Sequence, residues 1–115
     1  MSDQNALIAQ QNDQFRTSLG INCPIPGTVV LTSGVASLAD ALRTEVLRAV
    51  VQFNTFTEDN DPYGEHDFGS IELPDMGRFL WKIDYYAPDL MHGSEDPTDL
   101  TQTHRVLTIM FASEY

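Results

Sequence analysis

Two extended runs, Asp67 to Leu73 and Arg78 to Tyr86, flank Pro74-Asp75-Met76-Gly77, and this pairing constrains the fold more than any other part of the chain. Proline and aspartate favour a turn and glycine accepts positive φ, so the two runs are expected to close as a β-hairpin. A regular four-residue loop sets Phe68 opposite Ile83, Ser70 opposite Trp81 and Asp67 opposite Asp84. One face then carries His66, Phe68, Phe79, Trp81, Ile83 and Tyr85; the other carries Ile71, Leu73, Leu80, Lys82, Asp84 and Tyr86. A bulge at Gly69 exchanges some of these partners.

The remaining elements follow from period and punctuation. Residues 3–18 read as a helix, with Leu7, Ile8, Gln11, Phe15 and Leu19 near three-to-four spacing and Gly20 as the stop. The prolines of Cys23-Pro24-Ile25-Pro26-Gly27 enforce an extended loop, and Thr28 to Thr32 is a short β-branched strand. Ser37 with Asp40 resembles a capping box that opens a second helix to about Gln52, with Leu38, Ala41, Leu42, Val46, Ala49, Val50 and Phe53 on its apolar face. Ala87 to Thr103 is a long polar loop, and Arg105 to Ala112 is nearly all apolar, as expected of a central strand buried on both faces. The order is α-β-α-β-β-β. The expected architecture is α+β, one domain of two helices on a mainly antiparallel four-stranded sheet.

With 115 residues, 42% of them hydrophobic, the chain can build one core. No window reaches the roughly 18 apolar residues of a membrane span, and Met1-Ser2-Asp3-Gln4-Asn5 lacks the regions of a signal peptide, so the expected compartment is the cytoplasm. The lone Cys23 excludes an internal disulfide, and the prolines beside it mark a loop thiol without a chemical role.

Charge is the strongest functional signal. The net charge is −11, and most of it falls after residue 57. Such a field repels phosphate backbones and anionic lipid surfaces, which disfavours direct nucleic-acid or membrane binding and favours a cationic partner. Glu58 to Gly69 concentrates Glu58, Asp59, Asp61, Glu65 and Asp67 with His66 among turn-forming residues. It is not an EF-hand, because Tyr63 and Ser70 stand where oxygen ligands are required and a strand follows. A looser divalent-metal site from Asp59, Asp61, Glu65, His66 and Asp67 is chemically reasonable, although neighbouring strand residues face opposite ways; the simpler alternative is a turn capped by its own Asp and Asn side chains. Asp67 opposite Asp84 would raise one carboxyl pKa toward an acid–base role, unless Lys82 or Arg78 screens the pair. Thr32-Ser33-Gly34 lacks the preceding glycine of a nucleophile elbow, no phosphate loop occurs, and His92 and His104 read as surface residues. Tyr63 and Tyr86 suit an interface; Trp81 and Tyr85 suit the core.

Several runs together resemble the small bacterial domain-of-unknown-function family 3768: Asn12-Asp13-Gln14-Phe15-Arg16, Asp59 to Gly69, Trp81-Lys82-Ile83-Asp84-Tyr85-Tyr86, Gly93-Ser94-Glu95-Asp96-Pro97, Arg105 to Met110 and Ala112-Ser113-Glu114-Tyr115. The resemblance implies a cytoplasmic accessory protein of bacterial chromosomes and mobile elements, with no assigned activity and no catalytic residue to transfer.

Three expectations result. The first is a non-enzymatic, cofactor-free module that docks a basic surface of a partner protein through Asp59, Asp61, Tyr63, Glu65, Asp67, Tyr86, Glu95, Asp96 and Asp99, for example in the nucleic-acid groove of a CRISPR effector or restriction enzyme. The second is a small metal-binding protein or enzyme using Asp59, Asp61, Glu65, His66, Asp67 and Asp84, with a divalent metal as its cofactor. The third is a homo-oligomer pairing through a strand edge.

Overall fold

Residues 3–115 are described by a computed structural model, in which helix α1 spans Asp3–Ser18. Its apolar stripe is thin because Gln11, Asn12 and Arg16 lie buried on the same face as Ile8 and Phe15, while Leu7 is exposed. Leu19 and Gly20 then take positive φ and end the helix, with Gly20 N–H donating to the Phe15 carbonyl at 3.1 Å. Strand β1 is Gly27–Leu31.

The expected second helix is α3, Asp40–Gln52, which starts three residues later than Ser37, and a single helical turn not anticipated from the sequence, α2, covers Ser33–Ala36 ahead of it. Ser37 forms no capping box: its hydroxyl donates to the Ser33 carbonyl at 2.7 Å, and Ala39 stands at the N-cap of α3. Val46 and Val50 carry the buried face of α3, and Leu42 is exposed.

Strands β2 (Phe68–Leu73), β3 (Gly77–Tyr86) and β4 (His104–Phe111) complete the sheet, followed by a 3₁₀ turn at Ala112–Glu114. The spatial order is β1-β4-β3-β2, with β3 antiparallel to both neighbours and β1 parallel to β4, so the sheet is mixed. The β1–β4 connection runs through the helices and the hairpin, long enough to return β4 beside β1 in the same direction.

The hairpin register differs by one residue from the expected one. Phe68 pairs with Lys82, Gly69 with Trp81 and Ile71 with Phe79. A one-residue slip exchanges the faces of a strand, so Ile71 and Leu73 join Phe79 and Trp81 on the helix-covered side and Phe68 moves to the other. Gly69 sets this register: a Cβ there would run into the indole of Trp81. Strand β4 is central but not buried on both faces. On its open side Val106 and Thr108 are partly exposed and only Met110 is buried, whereas Arg105, Leu107 and Ile109 are buried on the helix-covered side. The core on that side comprises Phe15, Val35, Val46, Val50, Phe79, Trp81, Ile83, Leu107 and Ile109.

Candidate functional site

The chemistry-bearing residues gather where α1 meets the acidic segment and the long loop. Within residues 54–67 the backbone is laced by its own side chains. Asn60 Oδ1 accepts from Thr57 N–H at 2.8 Å, and Asn60 Nδ2 donates to the Thr55 carbonyl at 2.8 Å. The Asp61 carboxylate turns inward and accepts from the Glu65 and His66 amides at 3.1 and 3.2 Å. Gly64 and His66 both adopt positive φ, which reverses the chain beneath that carboxylate.

Helix α1 holds this loop from below. The His66 ring stacks on Phe56 with centroids 3.8 Å apart, and its Nδ1 lies 2.9 and 3.0 Å from the two carboxylate oxygens of Asp13. Asn12 Nδ2 donates to the Glu65 carbonyl at 2.9 Å and to the Tyr85 hydroxyl at 2.8 Å. The Tyr85 hydroxyl donates to Glu65 Oε1 at 3.1 Å. Burial pushes this phenol well above its ordinary pKa, and the nearby Asp67 and Glu65 charges add to that.

Two buried arginines anchor the network. Arg105 Nε donates to Asn12 Oδ1 at 2.7 Å, and one Nη donates to Gln11 Oε1 at 2.9 Å and the Pro97 carbonyl at 3.1 Å. Arg16 donates to the Val50 carbonyl at 2.6 Å, meets Asp13 at 3.3 Å, and lays its guanidinium 4.8 Å from the Trp81 ring centroid. Burial lowers both guanidinium pKa values; Asp13 opposes the shift at Arg16, and Tyr85 and Glu65 oppose it at Arg105. Gln11 Nε2 also donates to the Thr98 carbonyl at 3.0 Å. The two acidic segments are thus braced on one helix, Glu65 through Asn12 and residues 97–98 through Gln11 and Arg105.

The expected site residues occupy different roles within this frame. Glu58 and Asp59 are exposed, Tyr63 is 71% exposed, and Asp61 is buried. Among the described residues no group of three or more His, Cys, Asp or Glu side chains could hold a metal ion, so Asp59, Asp61, His66 and Asp67 form no ligand set. The physical reason is that Asp61 caps backbone amides and His66 turns to Asp13.

Nor do Asp67 and Asp84 stand opposite each other: Asp67 accepts the Ile83 amide through its backbone carbonyl at 2.8 Å, and Asp84 pairs with Lys82 at 2.8 Å. The Asp67 carboxyl is nonetheless raised, chiefly by burial and then by Glu65, with Asp84 a minor contributor. Asp96 and Asp99 cap their own turns, accepting from Thr98 and Thr101 hydroxyls at 2.6 Å each, while Glu95 is exposed. Tyr86 is half-buried at the end of β3 beside His104.

One feature of the long loop escaped sequence reasoning. Residues 87–92 form a closed tip in which Ala87 N–H donates to the His92 carbonyl at 2.7 Å and Asp89 clasps the His92 ring at 3.0 Å. Leu90, at φ 61°, is 51% exposed and Met91 is 81% exposed. The available signal was an apolar Leu-Met pair directly after Pro88-Asp89. Cys23 is half-buried, with Sγ 3.8 Å from the Gln14 carbonyl.

The chain belongs to the family described as protein of unknown function (DUF3768), which matches residues 31–114. That match takes in both acidic segments and strands β2 to β4 and leaves α1 outside it. No curated protein and no solved structure matches the chain. No helix among the described residues is long and apolar enough to cross a membrane.

Proposed function

We propose that this protein is a binding module that docks its braced acidic face against a basic surface of a partner protein. The observation that carries this reading is the division of labour at the α1 junction. The groups best suited to chemistry are engaged internally: His66 on Asp13, Asp61 on two amides, Tyr85 on Glu65 and Asn12. Outside this frame, Glu58, Asp59, Tyr63 and Glu95 point into solvent. A face whose backbone is already fixed loses little conformational entropy on docking, and its negative field speeds encounter with a cationic surface. Tyr63 supplies a large amphipathic ring at the centre of the acidic loop, the residue type that anchors interfaces.

The partner class that best complements such a face is the basic groove of a nucleic-acid-binding complex, of the kind found in restriction or CRISPR effectors, where the module would act as an inhibitor. The experiment is capture of partners from the bacterial host with tagged wild-type protein and with a Glu58→Lys, Asp59→Lys, Glu95→Lys variant, at low and high salt. The expected result is a nucleic-acid-binding protein held by wild type at low salt, released at high salt and absent from the variant. Equal capture by both proteins overturns the proposal.

A further inference from the structure

The sheet has two outer strands, β1 and β2, and they differ in how their free edges are guarded. The hydrogen-bonding phase of β1 is fixed at both ends: Arg105 N–H donates to the Pro26 carbonyl at 3.0 Å, and Thr32 N–H donates to the Ile109 carbonyl at 3.1 Å. Alternation along the strand turns Thr28 and Val30 toward β4 and leaves the amides and carbonyls of Gly27, Val29 and Leu31 facing outward, where no other described residue hydrogen-bonds to them. The side chains agree with an open edge. Val29 and Leu31 lie on the helix-covered side yet stay partly exposed, where Leu107 and Ile109, one strand inward, are fully buried. Val30, on the other side, is 40% exposed.

Sheet edges are ordinarily guarded by charge, proline or a bulge. Strand β2 has such a guard in exposed Glu72, paired with Arg78 at 3.1 Å. Strand β1, Gly27-Thr28-Val29-Val30-Leu31, has none: it is uncharged, rich in β-branched residues and free of proline. We infer that β1 pairs antiparallel with β1 of a second copy of this chain, about a two-fold axis at Val29, so that one sheet runs through both copies. The occupant is a second copy because the strand is complementary to itself in that register. Val29 meets Val29 of the second copy, Thr28 meets Val30, and Gly27 meets Leu31, the smallest residue facing the largest. Every outward amide and carbonyl of the strand is then paired, and no like charges stand opposite. Moving the register by two residues either way brings in Ser33, already in the α2 turn, or Ile25, held between Pro24 and Pro26. The Glu114 carboxylate, held by Thr32 Oγ1 at 2.7 Å, stands beyond the end of the strand, so the two-fold places one at each end of the seam.

This seam does not depend on the binding-module reading, and salt separates the two. Copies of net charge −11 repel, so the dimer tightens as salt rises, whereas docking on a basic surface weakens. The full chain is followed by sedimentation equilibrium over a concentration and salt series, beside Val30→Lys, which puts a charge on an exposed position of the edge. In parallel, Cys23→Ser protein carrying either Val29→Cys or Ser70→Cys is mildly oxidised. Opposed residues of a hydrogen-bonded antiparallel pair lie about 5.5 Å apart between Cα atoms, within disulfide reach. The expected result is a reversible dimer that tightens with salt, about tenfold weaker association for Val30→Lys, and a covalent dimer from Val29→Cys but not from Ser70→Cys on β2. A wild-type monomer at every concentration and salt, Val30→Lys associating as wild type does, or crosslinking through Ser70 as readily as through Val29 each overturns the inference. Should Val30→Lys fail to fold, the wild-type mass and the two cysteine variants still decide.

Discussion

At Gly69 the backbone of β2 lies against the indole of Trp81, with room for a hydrogen and nothing larger. Gly69→Ala must push apart two strands at a fully buried tryptophan, so a loss of about 2–3 kcal/mol is expected in urea unfolding; wild-type stability would mean that the Gly69–Trp81 pairing does not set the register. Asp67 makes the opposite prediction. Its folded pKa is raised by burial above the ordinary 3.8, so the fold favours its protonated form and loses stability as pH rises from that value through the raised one. Asp67→Asn should therefore stabilise the protein at pH 7, and the gain should vanish near or below the ordinary carboxyl pKa; unfolding midpoints at the two pH values check it. The buried residues hardest to read from sequence were Arg16 and Arg105. Arginine is ordinarily placed at the surface, and the only hint was Gln11 standing in an apolar stripe. Both become intelligible once amide and carbonyl acceptors from α1, α3 and the long loop converge on them.

Among the elements, α1, β1, β3 and β4 were legible to within about one residue at each end, because periodicity and glycine or proline punctuation agree there. The hairpin was legible as a hairpin, but its register was not: a turn motif fixes strand pairing to within a residue, and here the close packing of the Trp81 indole on Gly69, which only a residue without a Cβ allows, decides. The start of α3 was set three residues early and the α2 turn missed because Ser37 and Asp40 imitate a cap while the Ser37 hydroxyl bonds backward to Ser33. In the long loop, Leu90 holds a left-handed conformation costly for a bulky side chain. Leu90→Asn should raise stability by about 1 kcal/mol, since asparagine tolerates that region, measurable as a higher thermal midpoint. If Leu90 and Met91 contact the partner, the same variant binds less tightly, which separates a strained loop kept for binding from one kept for folding. No gain in stability would show that the tip relaxes without cost.

At the level of the whole molecule, the acidic surface and the buried cationic network belong to one arrangement. Two of the chain's six Lys and Arg residues, Arg16 and Arg105, are buried in the frame. The two acidic segments are braced on the same helix, Glu65 through Asn12 and the Pro97–Thr98 stretch through Gln11 and Arg105. Composition made the charge legible. It could not show that the two segments share a support, since the contacts that tie them to α1 join residues more than fifty positions apart. The measurement that bears most directly on the central claim is the affinity of the captured complex across a salt series, for wild type and for the variant carrying Glu58→Lys, Asp59→Lys and Glu95→Lys. An acidic face docked on a basic surface predicts affinity that falls steadily as salt rises and collapses in the variant. Affinity that is flat in salt, or unchanged by the three reversals, would contradict it.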